Sequence, residues 1–564
     1  MARANSSIAR IRSLDLSKYN THQTAASAPP PGYVLVVDQI RGDASIRHAQ
    51  ASATTFREML VQARTENPGA RIVIKAHPET SLGLRSGHFG AQDVVGNVTM
   101  AGDAVSPWRL LDGAAAVYTV SSGMGFEAIL AGHRPRVFGQ PFYSGWGLTV
   151  DENPVPRRTR KLTRTQLFAA AMILAPVWYD PCRDRLCSFE AAVDQLEAET
   201  RAFREDRAGH VAIGMRLWKR GRLQAVFGRQ KPLIFADAPD QAVARAQALG
   251  RNLLIWAGKE PRNLTAPGLT APGLILRRVE DGFLRSRGLG AALVPPLSLV
   301  ADDLGIYYDP TRESRLERLI LAPLPADGRL RAERLIDALI AARVTKYNLG
   351  GAAVPGAGSG RCILVPGQVE DDASILLGTT DVRTNLELLR ATRAANPEAR
   401  VIYKPHPDVE AGLRAGAISA AAMAGLADVV AVATDAVSLI DAVDEVWTMT
   451  SLLGFEALLR GKTVTCLGTP FYAGWGLTRD LGAVPERRKR AGDGHPLPRP
   501  DMVALVHAAL IGYPRYYDPV SHRPCPPEVA VERLASGALP PPGRWLRLLA
   551  KLQGRLASHA RLWR

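Results

Sequence analysis

The feature that most constrains this chain is a long stretch that occurs twice. The landmarks of residues 39–149 return 329 positions later with no insertion or deletion, and the copies end in Gln-Pro-Phe-Tyr-Ser-Gly-Trp-Gly-Leu-Thr and Thr-Pro-Phe-Tyr-Ala-Gly-Trp-Gly-Leu-Thr. A period of this length indicates a duplicated domain and not a solenoid of short repeats. Surface positions differ between the copies while the polar landmarks match, so we expect a site in each copy.

Each copy carries the same set of small and polar landmarks. They are Gln39, Asp43, Lys75, His77, Ser121, Ser122, Gly125 and Glu127 in the first copy, and Gln368, Asp372, Lys404, His406, Thr450, Ser451, Gly454 and Glu456 in the second. Most follow a short apolar segment, and these segments alternate with amphipathic ones. This alternation predicts an α/β fold with Rossmann-type, doubly wound parallel sheets. Ligands of such sheets bind beyond the carboxyl ends of the strands.

The repeat also divides the chain into predicted parts. Residues 1–32 are polar and then rich in proline and alanine, which is typical of a frayed lead-in. Ser-Lys-Tyr-Asn at 17–20 nevertheless returns as Thr-Lys-Tyr-Asn at 345–348, which places the start of the first copy near residue 8. The predicted parts that follow are a sheet half at 33–205, two further sheet halves at 211–340 and 345–535, and a basic amphipathic tail at 540–564. Two sheet halves facing across a cleft make a GT-B-like module, so the first module is predicted to be only half present.

The serine-rich junctions are candidates for binding phosphate. Ser121 and Ser122, like Thr450 and Ser451, stand where a helix is predicted to begin, and free backbone N–H groups there can hold an anion. Glu127 and Glu456, one turn later, are candidates for hydrogen bonds from ribose hydroxyls. An ordinary N-cap with a capping-box acid is the alternative interpretation.

The other landmarks bring a cation, an imidazole and a carboxylate to each predicted site. Lys75 with His77, and Lys404 with His406, can donate to a phosphate or a sugar acid. Asp43 and Asp372 are candidates for a nucleophile or base at a sugar's anomeric carbon, with helix capping as the alternative. Glu280 and Asp281 are predicted to face Asp372 from the other half, with Arg285 nearby to bind an anion. The remaining acidic candidates on that side are Asp302 and Asp303.

The net charge indicates which kind of partner the protein binds. The net charge is +16 at pH 7, which favours an anionic lipid, substrate or nucleic acid. The basic residues are not clustered with aromatics on one element, which argues against nucleic acid.

The five scattered cysteines favour free thiols and a cytoplasmic location, and no metal-ligand spacing occurs. The tail is predicted either to lie on an anionic membrane surface or to pack on the body.

The combined motifs resemble those of the KpsC/LipA family of capsule polysaccharide biosynthesis proteins. They are Glu-Asp-Gly-Phe-Leu-Arg-Ser, Pro-Pro-Leu-Ser-Leu-Val-Ala-Asp-Asp-Leu-Gly-Ile-Tyr-Tyr-Asp, Asp-Gln-x-x-Gly-Asp-Ala-Ser-Ile, Lys-x-His-Pro and Pro-Phe-Tyr-x-Gly-Trp-Gly-Leu-Thr. The resemblance implies two-module β-Kdo transferases of GT-B fold that use CMP-Kdo and no metal. They extend a poly-Kdo linker on a lyso-phosphatidylglycerol anchor. The implied location is the cytoplasmic face of the inner membrane, beside capsule assembly and export proteins.

The resemblance also assigns roles. Asp43 and Asp372 match the family's retaining nucleophile, His77 and His406 contact the donor, and Glu280 is the acid/base candidate. Residues 33–205 and 345–535 are then donor-binding halves, and residues 211–340 form an acceptor half. The first module lacks the acceptor-half motifs, so we expect a truncated or late-started reading frame in which the second module is the active one.

Two other functions remain open from the sequence. A polyol-phosphate polymerase of the teichoic-acid type would use CDP-activated donors and would need histidine as the key group. The first half-module is alternatively a non-catalytic binding domain that holds the acceptor glycolipid for its neighbour.

Overall fold

The computed structural model describes residues 1–102, 104–261, 274–288, 293–352 and 360–541. The chain forms two compact units. The first comprises residues 1–180, 185–200 and 325–327, and the second comprises residues 181–184, 201–324 and those from 328 onward. The predicted tail at 540–564 falls almost entirely outside the described residues.

The first unit contains a six-stranded parallel sheet and a short hairpin. The strands are β1 (Tyr33–Val37), β2 (Ile72–Lys75), β3 (Val98–Met100), β4 (Ala114–Thr119), β5 (Arg136–Val137), β6 (Val150–Asp151), β7 (Trp178–Asp180) and β8 (Arg185–Cys187). The sheet order is β3-β2-β1-β4-β5-β6, and β7 pairs with β8. All five residues of β1 are buried, as expected for a central parallel strand covered by helices on both faces.

The helices of the first unit alternate with these strands. They are α1 (Ala2–Ser13), α2 (Ala44–His48), α3 (Ala53–Glu66), α4 (Pro78–Ser81), α5 (Pro107–Gly113), α6 (Gly123–Ala131), α7 (Arg164–Phe168) and α8 (Phe189–Asp206). A π-helical segment, Ala169–Leu174, continues α7, and Ala91–Asp93 form a 3-10 turn. Helix α8 contributes residues up to Thr200 to the first unit and the rest to the second.

The start of the chain corrects the prediction of a frayed lead-in at 1–32. Helix α1 buries Ala4 and Ile8, and also the charged side chain of Arg10. The Arg10 guanidinium lies 2.8 Å from a carboxylate oxygen of Glu197 and 2.9 Å from one of Asp327. A buried arginine is tolerated when carboxylates surround it, which the local composition of the first residues does not reveal.

The second unit contains two sheets, one of seven strands and one of six. Its N-terminal half has β9 (His210–Ile213), β10 (Ile234–Ala236), β11 (Asn252–Trp256), β12 (Leu276–Asp281) and β13 (Ser298–Asp302). Its C-terminal half has β14 (Cys362–Pro366), β15 (Arg400–Lys404), β16 (Val429–Val430), β17 (Glu445–Thr448), β18 (Thr463–Cys466) and β19 (Arg479–Asp480). The order β16-β15-β14-β17-β18-β19 is that of the first unit's sheet. The predicted α/β fold with tandem GT-B-like half-domains is thus confirmed.

The helices of the second unit follow the same alternation. They are α9 (Leu217–Phe227), α10 (Pro239–Leu249), α11 (Arg315–Leu321), α12 (Gly328–Ala341), α13 (Ala373–Gly378), α14 (Asn385–Ala395), α15 (Pro407–Glu410), α16 (Ala420–Met423), α17 (Ala436–Ala442), α18 (Leu452–Leu459), α19 (Met502–Val506) and α20 (Pro527–Ser536). Short 3-10 turns occur at Ala257–Lys259 and Glu486–Arg488, and the π-helical segment His507–Gly512 continues α19.

The last two strands correct the predicted boundary of the C-terminal half at residue 535. Strands β20 (Arg515–Asp518) and β21 (Arg523–Cys525) complete the N-terminal half's sheet, whose order is β10-β9-β11-β12-β13-β20-β21. Strand β20 pairs antiparallel with β13, Ser298 opposite Tyr516. The chain therefore crosses back after α19, because β13 presents a free edge whose backbone groups need partners.

Candidate active site

A cleft of about 1370 Å³ lies within the second unit, between its two halves. Most of the site residues predicted in the second unit line it. Those from the N-terminal half are Glu280, Asp281 and Arg285, and those from the C-terminal half are Gln368, Asp372, Lys404, His406, Thr450, Ser451 and Glu456. Strand ends position them: β12 ends at Asp281, β14 at Pro366, β15 at Lys404 and β17 at Thr448. The parallel sheet of the C-terminal half brings the carboxyl ends of β14, β15 and β17 to one edge, and β12 belongs to the sheet of the N-terminal half.

Asp372 caps a helix and also lines the cleft. Its side chain caps α13 by accepting hydrogen bonds from the Ser374 backbone N–H at 3.0 Å and the Ser374 hydroxyl at 2.9 Å. The residue remains exposed to the cleft. Capping fixes one carboxylate oxygen, and the exposed carboxylate stays available for a ligand.

Glu280 stands on the opposite wall of the cleft, at the end of β12. Burial, followed by the charge of Asp281, raises its pKa to about 7; the charge of Asp372 acts in the same direction, and Lys219 opposes the shift. The Asp372 charge acts on Glu280, so the two carboxylates belong to one electrostatic site. A carboxyl group with this pKa can both give and take a proton near neutral pH.

Asp281 and Arg285 form an ion pair beside Glu280. The Arg285 Nε lies 2.7 Å from a carboxylate oxygen of Asp281, and the Arg285 side chain is almost fully buried. Burial alone would raise the pKa of Asp281, but Arg285 and Lys219 outweigh it and hold the pKa below its usual range. Arg285 is therefore already bound to a carboxylate, which limits its predicted role in binding an anion.

His406 is held in one orientation by its own backbone. Its Nδ1 accepts a hydrogen bond from the Asp408 N–H at 3.1 Å, as the N-cap of α15. Burial, followed by the charge of Lys346, lowers its pKa to about 4, so the ring is neutral at pH 7. With Nδ1 acting as the acceptor, the proton is assigned to Nε2, which is then a donor for a ligand.

Three landmarks hold the site together. The Gln368 amide accepts from the Thr450 N–H and donates to the Thr450 hydroxyl, both at 2.9 Å, and so links the loops after β14 and β17. Ser451 caps α18 by accepting from the Leu453 N–H at 3.2 Å. Gly454 does not line the cleft. A Cβ there would overlap the Tyr472 hydroxyl, which donates to the Ser451 carbonyl.

Glu456 has an internal partner as well. Its Oε1 accepts a hydrogen bond from the backbone N–H of Lys346 at 2.8 Å. Burial raises the pKa of Glu456 to about 7. The predicted contact with ribose hydroxyls stays a prediction.

The assignment of Asp302 and Asp303 to the acceptor side is corrected, because neither lines the cleft. Asp302 is fully buried and accepts from the Leu304 N–H at 2.8 Å and the Tyr513 hydroxyl at 2.8 Å. Asp303 pairs with Arg315 at 2.6 Å. Both carboxylates support the turn between β13 and α11, a role that a sequence motif does not distinguish from ligand binding.

The first unit repeats the arrangement around its own sheet. Asp43 caps α2 by accepting from the Ser45 N–H at 2.8 Å. His77 caps α4, and its Nδ1 accepts from the Glu79 N–H at 3.2 Å. Backbone hydrogen bonding lowers the pKa of Asp43, and burial lowers that of His77.

The supporting contacts are repeated too. The Gln39 side-chain Oε1 accepts from the Ser121 N–H at 2.9 Å, and Ser122 caps α6. Gly125 leaves room for the Tyr143 hydroxyl, and the Glu127 carboxylate accepts from the Ser17 hydroxyl at 2.6 Å. Lys75 is buried at the end of β2. Within the described part of this unit, the hairpin β7–β8 is the only sheet besides the six-stranded one.

Sequence reasoning missed several side chains that line the cleft. Lys219, Tyr307, Lys346 and Tyr347 all face it. Lys346 and Tyr347 belong to Thr-Lys-Tyr-Asn, whose repetition at 17–20 marked them out in the sequence. In the sequence, this repetition indicates where the first copy starts and does not by itself indicate a ligand.

Among the residues that the structure describes, no group of three or more His, Cys, Asp or Glu side chains is arranged to hold a metal ion. No helix in that part of the chain combines the length and apolarity needed to span a membrane.

Comparison with known proteins identifies the family. The model of a capsule polysaccharide biosynthesis protein family matches residues 2–176, 252–349 and 351–516. The capsule polysaccharide modification protein LipA of Neisseria meningitidis serogroup B is 38% identical over 550 residues, which is 95% of this chain and 76% of that protein. The chain belongs to this capsule polysaccharide biosynthesis family.

Two solved structures are similar in sequence to part of the chain. The Thermosulfurimonas dismutans structures titled KpsC β-Kdo 2,7 transferase and β-Kdo 2,4 transferase are 34% and 31% identical, with TM-scores of 0.46 and 0.48. Each covers 58% of this chain, and the match spans 98% and 97% of the respective structures.

Proposed function

We propose that the second unit is a retaining β-Kdo transferase that uses CMP-Kdo as its donor. The observation that carries this proposal is the pair of carboxylates on opposite walls of the cleft, Asp372 and Glu280, beside a neutral imidazole donor on His406. Membership of a capsule polysaccharide biosynthesis family supports a sugar substrate, and so does the similarity to the capsule polysaccharide modification protein LipA.

The proposed reaction has two displacements. The Asp372 carboxylate attacks the anomeric carbon while the bond from that carbon to the phosphate oxygen of CMP breaks, and CMP leaves with the electron pair. The acceptor hydroxyl then attacks the same carbon, releases the Asp372 carboxylate and gives its proton to Glu280. Two inversions retain the configuration.

The donor's phosphate is proposed to bind at the loops of the C-terminal half. Ser451 begins α18, whose first backbone N–H groups can hold an anion, and the His406 Nε2–H and the Lys404 ammonium lie in the same cleft. Burial lowers the pKa of Lys404, and bound phosphate would favour its charged form. The proposal includes no metal cofactor.

The same proposal covers the product, the place where it is made and the partner proteins. The product is a poly-Kdo linker on a lyso-phosphatidylglycerol anchor, made at the cytoplasmic face of the inner membrane with capsule assembly and export proteins. The first unit repeats the donor-side residues, and we propose that transfer by this chain takes place in the second unit.

Transfer from CMP-Kdo to a synthetic Kdo-terminated lipid, followed by mass spectrometry, tests the proposal. We expect wild type to add Kdo, and Asp372→Asn to reduce the rate by about a thousandfold or more, as loss of a nucleophile does. A covalent Kdo adduct should be found on Asp372 when acceptor is withheld.

Two further variants complete this design. Asp303→Asn makes the same chemical change outside the cleft and should transfer at the wild-type rate. Asp43→Asn should also be active if the second unit alone carries transfer. Wild type that adds no Kdo but transfers from a CDP-activated polyol would refute the proposal in favour of the teichoic-acid type.

A further inference from the structure

The mechanism above leaves one repeated motif unused, the segment Thr345-Lys346-Tyr347-Asn348. Its backbone is tightly held. The Asn348 side chain accepts from the Thr345 N–H at 2.9 Å and donates to the Thr345 carbonyl at 2.7 Å. Asn348 has a φ of 50°, a left-handed conformation that asparagine tolerates better than most residues. The segment is a closed turn and not a flexible loop.

The turn is also hydrogen-bonded to α18, the helix whose N-terminus is proposed to bind the donor's phosphate. The buried carboxylate of Glu456, on α18, accepts the Lys346 N–H at 2.8 Å. The Asn348 side chain also donates to the Ser286 carbonyl at 3.0 Å. The turn thus contacts both halves of the unit, and Lys346 is presented to the cleft from a fixed backbone.

The Lys346 side chain is a cation without a carboxylate partner. Unlike Arg285, which is bound to Asp281 at 2.7 Å, it has no carboxylate within 4.0 Å among the residues that the structure describes. Burial alone would lower its pKa, but Tyr347 and Asp372 outweigh it and raise the pKa above its usual value. Lys346 is therefore charged at pH 7 and lies within electrostatic range of Asp372.

The first unit has the same arrangement. The Asn20 side chain accepts from the Ser17 N–H at 3.0 Å, and the charge of Lys18 acts on both Asp43 and His77. A lysine beside the capping aspartate is thus a property of the duplicated site and not of one copy.

We propose that Lys346 binds the carboxylate attached to the reacting carbon of the donor sugar. This inference rests on the proposed function, since Kdo carries a carboxylate on its anomeric carbon. An anionic nucleophile that approaches a carbon bearing a carboxylate meets like-charge repulsion, and a cation beside Asp372 offsets it. Lys346 thereby selects acid sugars over neutral ones and aligns the carbon for attack.

Equilibrium binding of CMP-Kdo and of CMP to the full chain tests this inference. Lys346→Met removes the charge and keeps the stem, and we expect it to bind CMP-Kdo about ten- to a hundredfold more weakly while its affinity for CMP stays unchanged. Lys346→Arg keeps the charge and should restore most of the affinity. Lys489→Met changes an exposed lysine outside the cleft and should bind both ligands like wild type.

The outcomes separate the two proposals. Equal CMP-Kdo affinity in Lys346→Met and wild type overturns the inference and leaves the proposed function intact. An equal loss for CMP and CMP-Kdo places Lys346 on the phosphate and also overturns the assignment to the carboxylate. Wild type that binds neither nucleotide refutes the proposed function and the inference together. If Lys346→Met does not fold, Lys346→Gln replaces it in the same comparison.

Discussion

Glu456 shows how a single buried carboxyl group can link the site to stability. Burial raises its pKa from 4.5 to about 7, although the Lys346 N–H opposes this shift. Between these values the folded protein holds a proton that the unfolded chain has lost. The free energy of unfolding therefore falls as the pH rises from about 4.5 to about 7.

Replacement of Glu456 with Gln should remove this contribution, because the amide oxygen still accepts the Lys346 N–H and carries no charge. We expect the second unit of Glu456→Gln to gain up to about 3 kcal/mol relative to wild type at pH 8, and little at pH 4. Calorimetric unfolding at the two pH values measures the difference.

A control for this experiment lies in the first unit. The pKa of Glu127 is likewise raised to about 7 by burial. Glu127→Gln should shift the unfolding transition of the first unit instead. An identical pH dependence in Glu456→Gln and wild type would show that Glu456 does not titrate in this range.

At the scale of elements, both copies of the repeat contain a helix that packs beneath an aromatic loop. Helix α18 begins at the strand end and passes beneath Tyr472, with Gly454 at the point of closest approach. Helix α6 does the same beneath Tyr143, with Gly125. The glycine in both motifs is explained by this approach, since neither has a positive φ.

Gly454→Ala should therefore destabilise the second unit by about 1–3 kcal/mol, because the added methyl group overlaps the Tyr472 hydroxyl. Tyr472→Phe removes that hydroxyl at the cost of its hydrogen bond to Ser451. The effects of the two changes should be less than additive in the double variant, as measured by denaturant unfolding. Strict additivity would mean that the hydroxyl is not what excludes a side chain at residue 454.

At the scale of the whole molecule, the chain returns after α19 to the N-terminal half of the second unit and completes its sheet. Strand β20 carries Arg515, whose guanidinium makes two hydrogen bonds to Asp206, at 2.8 and 2.6 Å. Asp206 is almost fully buried and also lies 2.9 Å from the His210 Nε2. This network joins the end of α8 and the start of β9 to the returning strand, where Arg515 stands 309 residues after Asp206 in the chain.

Asp206→Ala should destabilise the second unit by about 3–5 kcal/mol, since the buried Arg515 guanidinium loses its two short hydrogen bonds to a carboxylate. It keeps the longer contacts with Glu205, at 3.4 Å, and with the Val226 carbonyl, at 3.0 Å. The unfolding temperature of the first unit should not change. Asp237→Ala is the control: Asp237 pairs with Arg220 at 3.2 Å but is 91% exposed, so no measurable shift is expected. Scanning calorimetry of both variants distinguishes them, and equal small shifts would show that the Arg515 network does not hold the unit together.

The duplicated sheets and the composition of the site could be predicted from the sequence. The identical spacing of the landmarks predicted two sheets of one topology, and their position after apolar segments placed them at one sheet edge. Asp372, His406 and Ser451 lie where this argument puts them. Strand and helix periodicity are local properties, which is why the sequence alone determined them.

Only the tertiary structure decided which polar residues serve the fold and which face the cleft. Asp302, Glu317 and Glu280 are all acidic residues of the N-terminal half. Asp302 and Glu317 are buried in hydrogen-bonded networks, whereas Glu280 lines the cleft. The return of β20 to β13, the buried ion pairs of Arg10, and the attachment of Lys346 to Glu456 likewise join residues that are far apart in the chain. Such contacts depend on how whole elements pack, because burial and pairing energies are set by neighbours in space, which local sequence patterns do not encode.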